Sequence, residues 1–150
     1  MSDSAAVRTA IAVLEAAGVP SPRTDAEILW DYVDANESEF NQLIEKRAQR
    51  IPLQHLTGSA YFRYLELEVG PGVFIPRPET ELLAQVAIDA LKDTDGKVAV
   101  ELCAGSGAIA ISIATEVPGS TVYAVEKSID SFRWLQRDNT LGIVTDSGSW

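Results

Sequence analysis

Apolar residues in the first fifty positions of the chain recur at helical spacing. Three groups of them repeat at intervals of three and four residues, and the first two follow a serine or a Ser-Pro pair that suits a helix start. These groups occupy residues 7–14, 26–33 and 40–44. The pattern predicts three short amphipathic helices, which together form a small helical bundle over residues 1–50.

The pattern changes after residue 50, where prolines and glycines separate short segments rich in aromatic and β-branched residues. Leu65, Leu67 and Val69 alternate with two glutamates, as expected of a strand with one buried face. We place a turn at Gly70-Pro71-Gly72 and a returning strand at residues 73–75. Residues 51–78 are therefore predicted to form a β-hairpin linker between two domains.

Helical and strand patterns alternate from residue 79 onward. We predict a helix capped by Thr80, and its apolar face is expected to comprise Leu83, Val86, Ala87 and Ala90. Beyond it the chain gives a buried strand, a helix, a second strand and a last helix, at residues 98–102, 108–114, 121–125 and 130–139. This alternation predicts an α/β fold with a parallel, Rossmann-like sheet. Two strands and the brief apolar run that follows leave the sheet incomplete.

Composition and charge argue against a membrane protein, a disulfide-bonded or metal-binding protein, and a nucleic-acid-binding protein. The sequence has no apolar run of about 18 residues and no signal peptide, so we expect a cytoplasmic protein without a membrane segment. One cysteine and one histidine exclude an internal disulfide and a metal site of the usual ligand count. The net charge of −10 opposes direct binding to nucleic acid. We expect a monomer.

A glycine-rich turn joins the first predicted strand to its helix. Gly105, Gly107 and Ala110 match the G-x-G-x-x-A form of the dinucleotide fingerprint. Glu126 follows Gly105 by 21 residues, a spacing at which an acid binds ribose hydroxyls. This much permits NAD as well as S-adenosylmethionine. Glu101, just before the turn, would repel a pyrophosphate and stabilise a sulfonium and an ammonium, so it favours S-adenosylmethionine.

A second motif lies at residues 74–81, which read Phe-Ile-Pro-Arg-Pro-Glu-Thr-Glu. This segment resembles the signature of the release factor glutamine methyltransferases. Enzymes of that family methylate the side-chain amide of the glutamine in the Gly-Gly-Gln motif of peptide chain release factors. Residues 50–58 and 61–62 resemble the linker of the family, and residues 101–110 resemble its cofactor loop. The resemblance extends over about residues 5–139.

The resemblance implies a domain organisation, a cofactor and a partner. It implies a helical substrate-docking domain at residues 1–50, a β-hairpin linker at 51–78 and the N-terminal part of a methyltransferase domain at 79–150. The cofactor would be S-adenosylmethionine, and the protein substrate would be a peptide chain release factor. The implied cofactor-binding residues are Glu101, Cys103, Ala104, Gly105, Ser106, Gly107 and Glu126. The active site would be bordered by Phe74, Pro76, Arg77, Pro78, Glu79 and Thr80.

The sequence departs from the family pattern in three places, and the first is between Asp34 and Glu39, where the chain is shorter than the N-terminal domain of the family. Cys103 stands where methyltransferases more often have glycine. The Asn-Pro-Pro-Tyr motif that receives the substrate amide does not occur in the sequence, so we assign no catalytic residue and expect a chain cut off before that motif. Methyl transfer depends on positioning the amide, and we therefore expect this chain alone to bind the cofactor weakly or not at all and not to turn over. Two alternatives stay open, a non-catalytic fragment or binding module and an NAD-dependent oxidoreductase.

Overall fold

The computed structural model describes residues 4–138 and the backbone of residues 144–146. Contacts within the chain divide it into two units, residues 1–57 and 58–150. The first unit consists of helices α1 (Ala5–Ala16), α2 (Pro22–Tyr32), α3 (Glu37–Ala48) and α4 (Leu53–Thr57). The three helices predicted from the apolar spacing are thus present, and α4 was not predicted.

Side-chain caps begin α1 and α3, whereas Ser21 at the start of α2 makes no capping hydrogen bond with its side chain. The Ser4 hydroxyl accepts a hydrogen bond from the amide of Val7 at 3.2 Å, as predicted for the first helix. At the start of α3, the Asn36 side chain accepts from the amide of Glu39 and donates to its carboxylate. The acidic stretch that precedes Phe40 therefore contributes the first turn of α3, where carboxylates favour the helix dipole.

The helical unit extends further along the chain than the bundle predicted for residues 1–50. Leu53 and Leu56 of α4 pack against the same apolar core as the three longer helices. The Arg47 side chain donates to the Asp25 carboxylate at 2.7 Å and to the Ile51 carbonyl at 3.1 Å, and both charged side chains are largely buried. These contacts hold the segment after α3 on the helical unit, so the division falls after Thr57.

The second unit begins with a β-hairpin whose turn differs from the predicted one. Strands β1 (Ser59–Phe62) and β2 (Leu65–Glu68) pair antiparallel, with Phe62 opposite Leu65 and a two-residue turn between them. A turn does form at Gly70-Pro71-Gly72, where the Val73 amide donates to the Gly70 carbonyl at 3.3 Å, but it is not the turn of the hairpin. The predicted returning strand at residues 73–75 is wrong, because the structure has no strand there. Arg63 in the observed turn has a φ of 52°, and its amide donates to the Glu81 carboxylate at 3.1 Å. Contacts distant in sequence thus fix a turn that lacks a local turn signal.

The glycines of the predicted turn instead pack on helix α7 (Ile129–Asp138). The Trp134 indole donates to the Pro71 carbonyl at 3.1 Å, and the Ser131 hydroxyl donates to the Gly72 carbonyl at 2.8 Å. A Cβ atom at Gly70 would lie 2.4 Å from the Trp134 ring, so only glycine fits this approach. The contact fixes the path of the chain just before residue 74.

The remainder of the second unit is a parallel α/β arrangement, as predicted. Its elements are α5 (Thr80–Lys92), β3 (Val98–Leu102), α6 (Ala108–Glu116), β4 (Thr121–Val125), α7 and β5 (Val144–Asp146). The strands pair in parallel in the order β3-β4-β5, so the described sheet has one strand more than predicted. Helix α6 packs against α5, β3 and β4, and the core of the unit lies along these contacts.

Two predicted burial patterns in this unit are wrong. Helix α5 buries Ala84, Ile88 and Leu91, whereas Leu83 and Val86 of the predicted apolar face are more than half exposed. The small side chain of Ala84 lies in the core shared with α6, where a close approach of the two helices favours a small residue. Strand β3 was expected to be buried, but alternate residues from Val98 to Leu102 are exposed. Among the described residues, only one face of β3 is covered.

Candidate cofactor site

The turn between β3 and α6 contains three residues in left-handed backbone conformation. Cys103, Gly105 and Gly107 have φ values of 60°, 59° and 81°. A Cβ at Gly107 would lie 2.3 Å from the Leu135 side chain, so α7 packs directly against this glycine. Gly105 has no atom within 4 Å of the Cβ position and leaves open space beside its backbone. Cys103 adopts a conformation that costs a residue with a side chain roughly 1–2 kcal/mol.

Glu101 lies on the covered side of β3 and points towards the first turn of α6. Its carboxylate accepts a hydrogen bond from the Ala110 amide at 2.8 Å, which satisfies one of the free amides of the helix start. The pKa of Glu101 is raised from 4.5 to about 7, chiefly by burial and also by the negative charge of Glu126, while the Ala110 hydrogen bond acts in the opposite direction. The group is therefore only partly ionised at neutral pH, and a nearby cation would favour its charged form.

Glu126 directly follows β4, beside the same turn. One carboxylate oxygen accepts from the Gly105 amide at 2.7 Å, and the other accepts from the Ser128 amide at 2.7 Å. The residue is 9% exposed. Both hydrogen bonds fix the carboxylate, and each oxygen keeps a second lone pair that can accept from a hydroxyl. The spacing of 21 residues seen in the sequence thus corresponds to a direct contact in the structure.

An open cavity of about 170 Å³ brings the two sequence motifs together. The glycine turn contributes Glu101, Cys103, Ala104 and Ser106 to its lining, and the Pro-Arg-Pro segment contributes Phe74, Pro76, Arg77 and Thr80. Ala108 and Ile109 from the start of α6 also line it and were not predicted. The volume lies below the roughly 300–1,000 Å³ of whole ligand sites, so this cavity accommodates a part of a nucleoside-sized ligand.

The other predicted site residues lie outside the lining of this cavity. Gly105, Gly107 and Glu126 belong to the same turn and its hydrogen bonds, and they adjoin the cavity through Ala104 and Ser106. Pro78 and Glu79 are exposed at the start of α5 and are not among the lining residues. The structure therefore groups most of the predicted residues and leaves these two apart.

Arg63 supports the site and was missed by sequence reasoning. Its guanidinium donates two hydrogen bonds of 2.7 Å to the carboxylate of Glu116 at the end of α6. It also donates to the Gln85 side chain at 2.8 Å and to the Glu81 carbonyl at 3.3 Å, both on α5. The hairpin is thus fixed to the two helices whose N-terminal ends line the cavity. Since Arg63 and Glu116 are 53 residues apart, no local pattern could reveal the pair.

Two further observations on the described residues concern metal ions and membranes. No group of three or more histidine, cysteine, aspartate or glutamate side chains among them is arranged to hold a metal ion. No helix in residues 4–138 is both long enough and apolar enough to cross a membrane.

Comparison with known proteins identifies close relatives in sequence. Release factor glutamine methyltransferase of Streptomyces coelicolor is 51% identical over 137 residues, which are 81% of this chain and 49% of the relative. The enzymes of the same name from Bifidobacterium longum and Mycolicibacterium smegmatis are each 47% identical, over 83% and 82% of this chain and 44% and 49% of the relative. The chain thus spans about half the length of the curated relatives it matches.

Two further comparisons add little. No protein-family model matches the chain. A crystal structure of coclaurine N-methyltransferase bound to N-methylheliamine and SAH aligns with 97% of this chain and 49% of that chain, at 16% identity and a TM-score of 0.40. An alignment at that TM-score does not identify the fold.

Proposed function

The chain belongs to the family of the release factor glutamine methyltransferases, and from this premise we propose that it serves S-adenosylmethionine-dependent methylation of release factors. The methyl group would go to the side-chain amide of the glutamine in the Gly-Gly-Gln motif. Curated relatives that are up to 51% identical to this chain are named release factor glutamine methyltransferase. The chain spans about half of their length, so we propose the complete activity for full-length proteins of this family. For this chain itself we propose cofactor binding and docking of the substrate.

The cavity between the glycine turn and the Pro-Arg-Pro segment is the observation that best supports the proposed cofactor site. Glu101 is a half-buried acid beside the turn, and a cationic ligand would be attracted to it, whereas a pyrophosphate would be repelled. Glu126 is fixed next to Gly105 with lone pairs that suit two ribose hydroxyls. Glu126 would suit the ribose of either cofactor, whereas Glu101 fits the sulfonium of S-adenosylmethionine and does not fit the diphosphate of NAD.

The residues of this chain would act by binding and orientation. When bound, S-adenosylmethionine supplies an electrophilic methyl group. Glu101 would hold the charged end of the cofactor, and Glu126 would hold its ribose, beside the segment from Phe74 to Thr80. Much of the rate of such a transfer comes from holding the reacting atoms in line. The sequence contains no Asn-Pro-Pro-Tyr motif to hold the amide, and we propose that the 150-residue chain does not turn over.

The partner and the location follow from the same proposal. We propose that the helical unit of residues 1–57 docks the release factor and that residues 58–150 hold the cofactor. We also propose a cytoplasmic location, because a release factor acts where translation takes place. The net charge of −10 favours a protein partner over direct contact with nucleic acid, and we propose a monomer.

Calorimetry followed by a methyl-transfer assay tests these proposals. We expect the chain to bind S-adenosylmethionine weakly, in the millimolar range, and to show no NADH binding under the same conditions. We expect no methyl transfer to a purified release factor, which a full-length relative would methylate as a positive control. NADH binding that persists in Glu101→Gln would support the oxidoreductase alternative, and turnover by the 150-residue chain would contradict the proposed need for further residues.

A further inference from the structure

The hairpin turn between β1 and β2 holds a charged residue in a backbone conformation that favours glycine. Arg63 is the first of the two turn residues, and its φ of 52° lies in the left-handed region. Two-residue turns with a positive φ at this position usually have glycine there, because a Cβ atom is sterically unfavourable. The arginine strains the backbone, so contacts of Arg63 with other segments must offset that strain.

Those contacts join the hairpin turn to two helices. The Arg63 amide donates to the Glu81 carboxylate at 3.1 Å, near the start of α5. The guanidinium donates to the Glu81 carbonyl at 3.3 Å and to the Gln85 side chain at 2.8 Å. The same guanidinium is paired with Glu116, the last residue of α6. One largely buried side chain therefore bridges α5 and α6.

Both of these helices begin at the candidate cofactor cavity. Thr80 is the first residue of α5 and lines the cavity, and Glu81 follows it directly without being a lining residue. Ala108 and Ile109 line the cavity from the start of α6. Helices transmit displacements as rigid elements, so a contact that fixes α5 against α6 also fixes the separation of these lining residues.

We propose that Arg63 and Glu81 are positioning residues of the cofactor site, and that their contact sets the separation of the two helix starts that line the cavity. This inference rests on the proposed cofactor and gives a role to the last residue of the motif at residues 74–81. The contact requires an oxygen at residue 81 that accepts from the Arg63 amide. A glutamine side chain supplies such an oxygen, whereas alanine does not.

Two substitutions at residue 81 and one control substitution test this role. Glu81→Ala removes the acceptor for the Arg63 amide, and Glu81→Gln keeps it. Glu66→Ala is the matched control, because Glu66 is an exposed glutamate of the same hairpin and does not line the cofactor cavity. Urea unfolding of each protein would establish conditions in which all of them are folded, and NMR spectra would be recorded under those conditions.

The first readout needs no ligand. In the free chain, Glu81→Ala should shift the amide resonances of Ala108 and Ile109, which belong to the other helix. Glu81→Gln and Glu66→Ala should leave these resonances in place. Unchanged resonances of Ala108 and Ile109 in Glu81→Ala would overturn the positioning role.

The second readout is the affinity for S-adenosylmethionine, measured by NMR titration. We expect Glu81→Ala to bind about fivefold more weakly than the wild type, as for the loss of one hydrogen bond, and the other two variants to bind as the wild type does. Wild-type affinity in Glu81→Ala, or an equal loss in Glu81→Gln, would overturn the positioning role and leave the cofactor proposal intact. A wild-type chain that binds no S-adenosylmethionine would overturn the cofactor proposal, and the first readout would still decide whether the contact positions the two helix starts.

Discussion

Glu101→Gln should increase the stability of the second unit at alkaline pH. The carboxyl group of Glu101 has its pKa raised from 4.5 to about 7, chiefly by burial, so ionisation is costly in the folded state. A raised carboxyl pKa contributes stability at low pH that is lost as the pH rises through the folded value. The full rise in the pKa of Glu101 corresponds to a loss of about 3 kcal/mol in the free energy of unfolding, because each pKa unit is worth about 1.4 kcal/mol. Glutamine keeps an oxygen that can accept from the Ala110 amide.

The measurement is urea unfolding at pH 5.5 and pH 8, monitored by the NMR resonances of β3 and α6. Between these two pH values the wild-type chain should lose about 2 kcal/mol relative to the variant, which has no ionisable group at this position. Glu66→Gln makes the same change at an exposed position on β2 and should leave the pH dependence of the wild type unchanged. A variant that is equally stable or less stable than the wild type at pH 8 would refute the burial of an ionisable Glu101.

Three further predictions concern binding and packing. Affinity for S-adenosylmethionine should rise about fivefold from pH 6 to pH 7 as Glu101 ionises, and titrations of Glu101→Gln should show no such rise. Cys103→Gly should raise the free energy of unfolding by about 1 kcal/mol in thermal or urea melts, because glycine adopts a φ of 60° without strain. Glu116→Gln should cost about 2 kcal/mol at pH 7, since it removes the carboxylate partner of Arg63 and leaves that guanidinium with its hydrogen bonds to Gln85 and Glu81. Arg63 lowers the pKa of Glu116 from 4.5, so in melts at decreasing pH the deficit should shrink as the pH falls below that value.

Elements with local signals were predictable from the sequence. The first three helices have apolar stripes and capping residues within a few positions of one another, and the structure contains them. The glycine turn, Glu101 and Glu126 were also found, because a strand, a tight turn and a helix impose fixed spacings on their residues. The parallel arrangement followed from the alternation of strands and helices.

The parts that failed depend on contacts between distant segments. Gly70-Pro71-Gly72 carries the strongest local turn signal in its region, but it packs on Trp134 and does not connect two strands. The actual turn at Arg63 is fixed by Glu116, which lies far along the chain. The exposed Leu83 shows the same limit, since which side of α5 is buried depends on how it packs against α6. The approach of residues 74–80 to the glycine turn was implied by family resemblance alone, and no spacing predicted it.

An NMR titration of the labelled chain with S-adenosylmethionine tests the proposed cofactor site most directly. The amide resonances of Gly105, Ser106 and Ala110 should shift with increasing ligand, because these amides belong to the turn and to the hydrogen bonds of the two acids. NADH at the same concentration should leave them unchanged. Resonances of the turn that move with NADH and stay unchanged with S-adenosylmethionine would contradict the assignment of this cavity to the methyl donor.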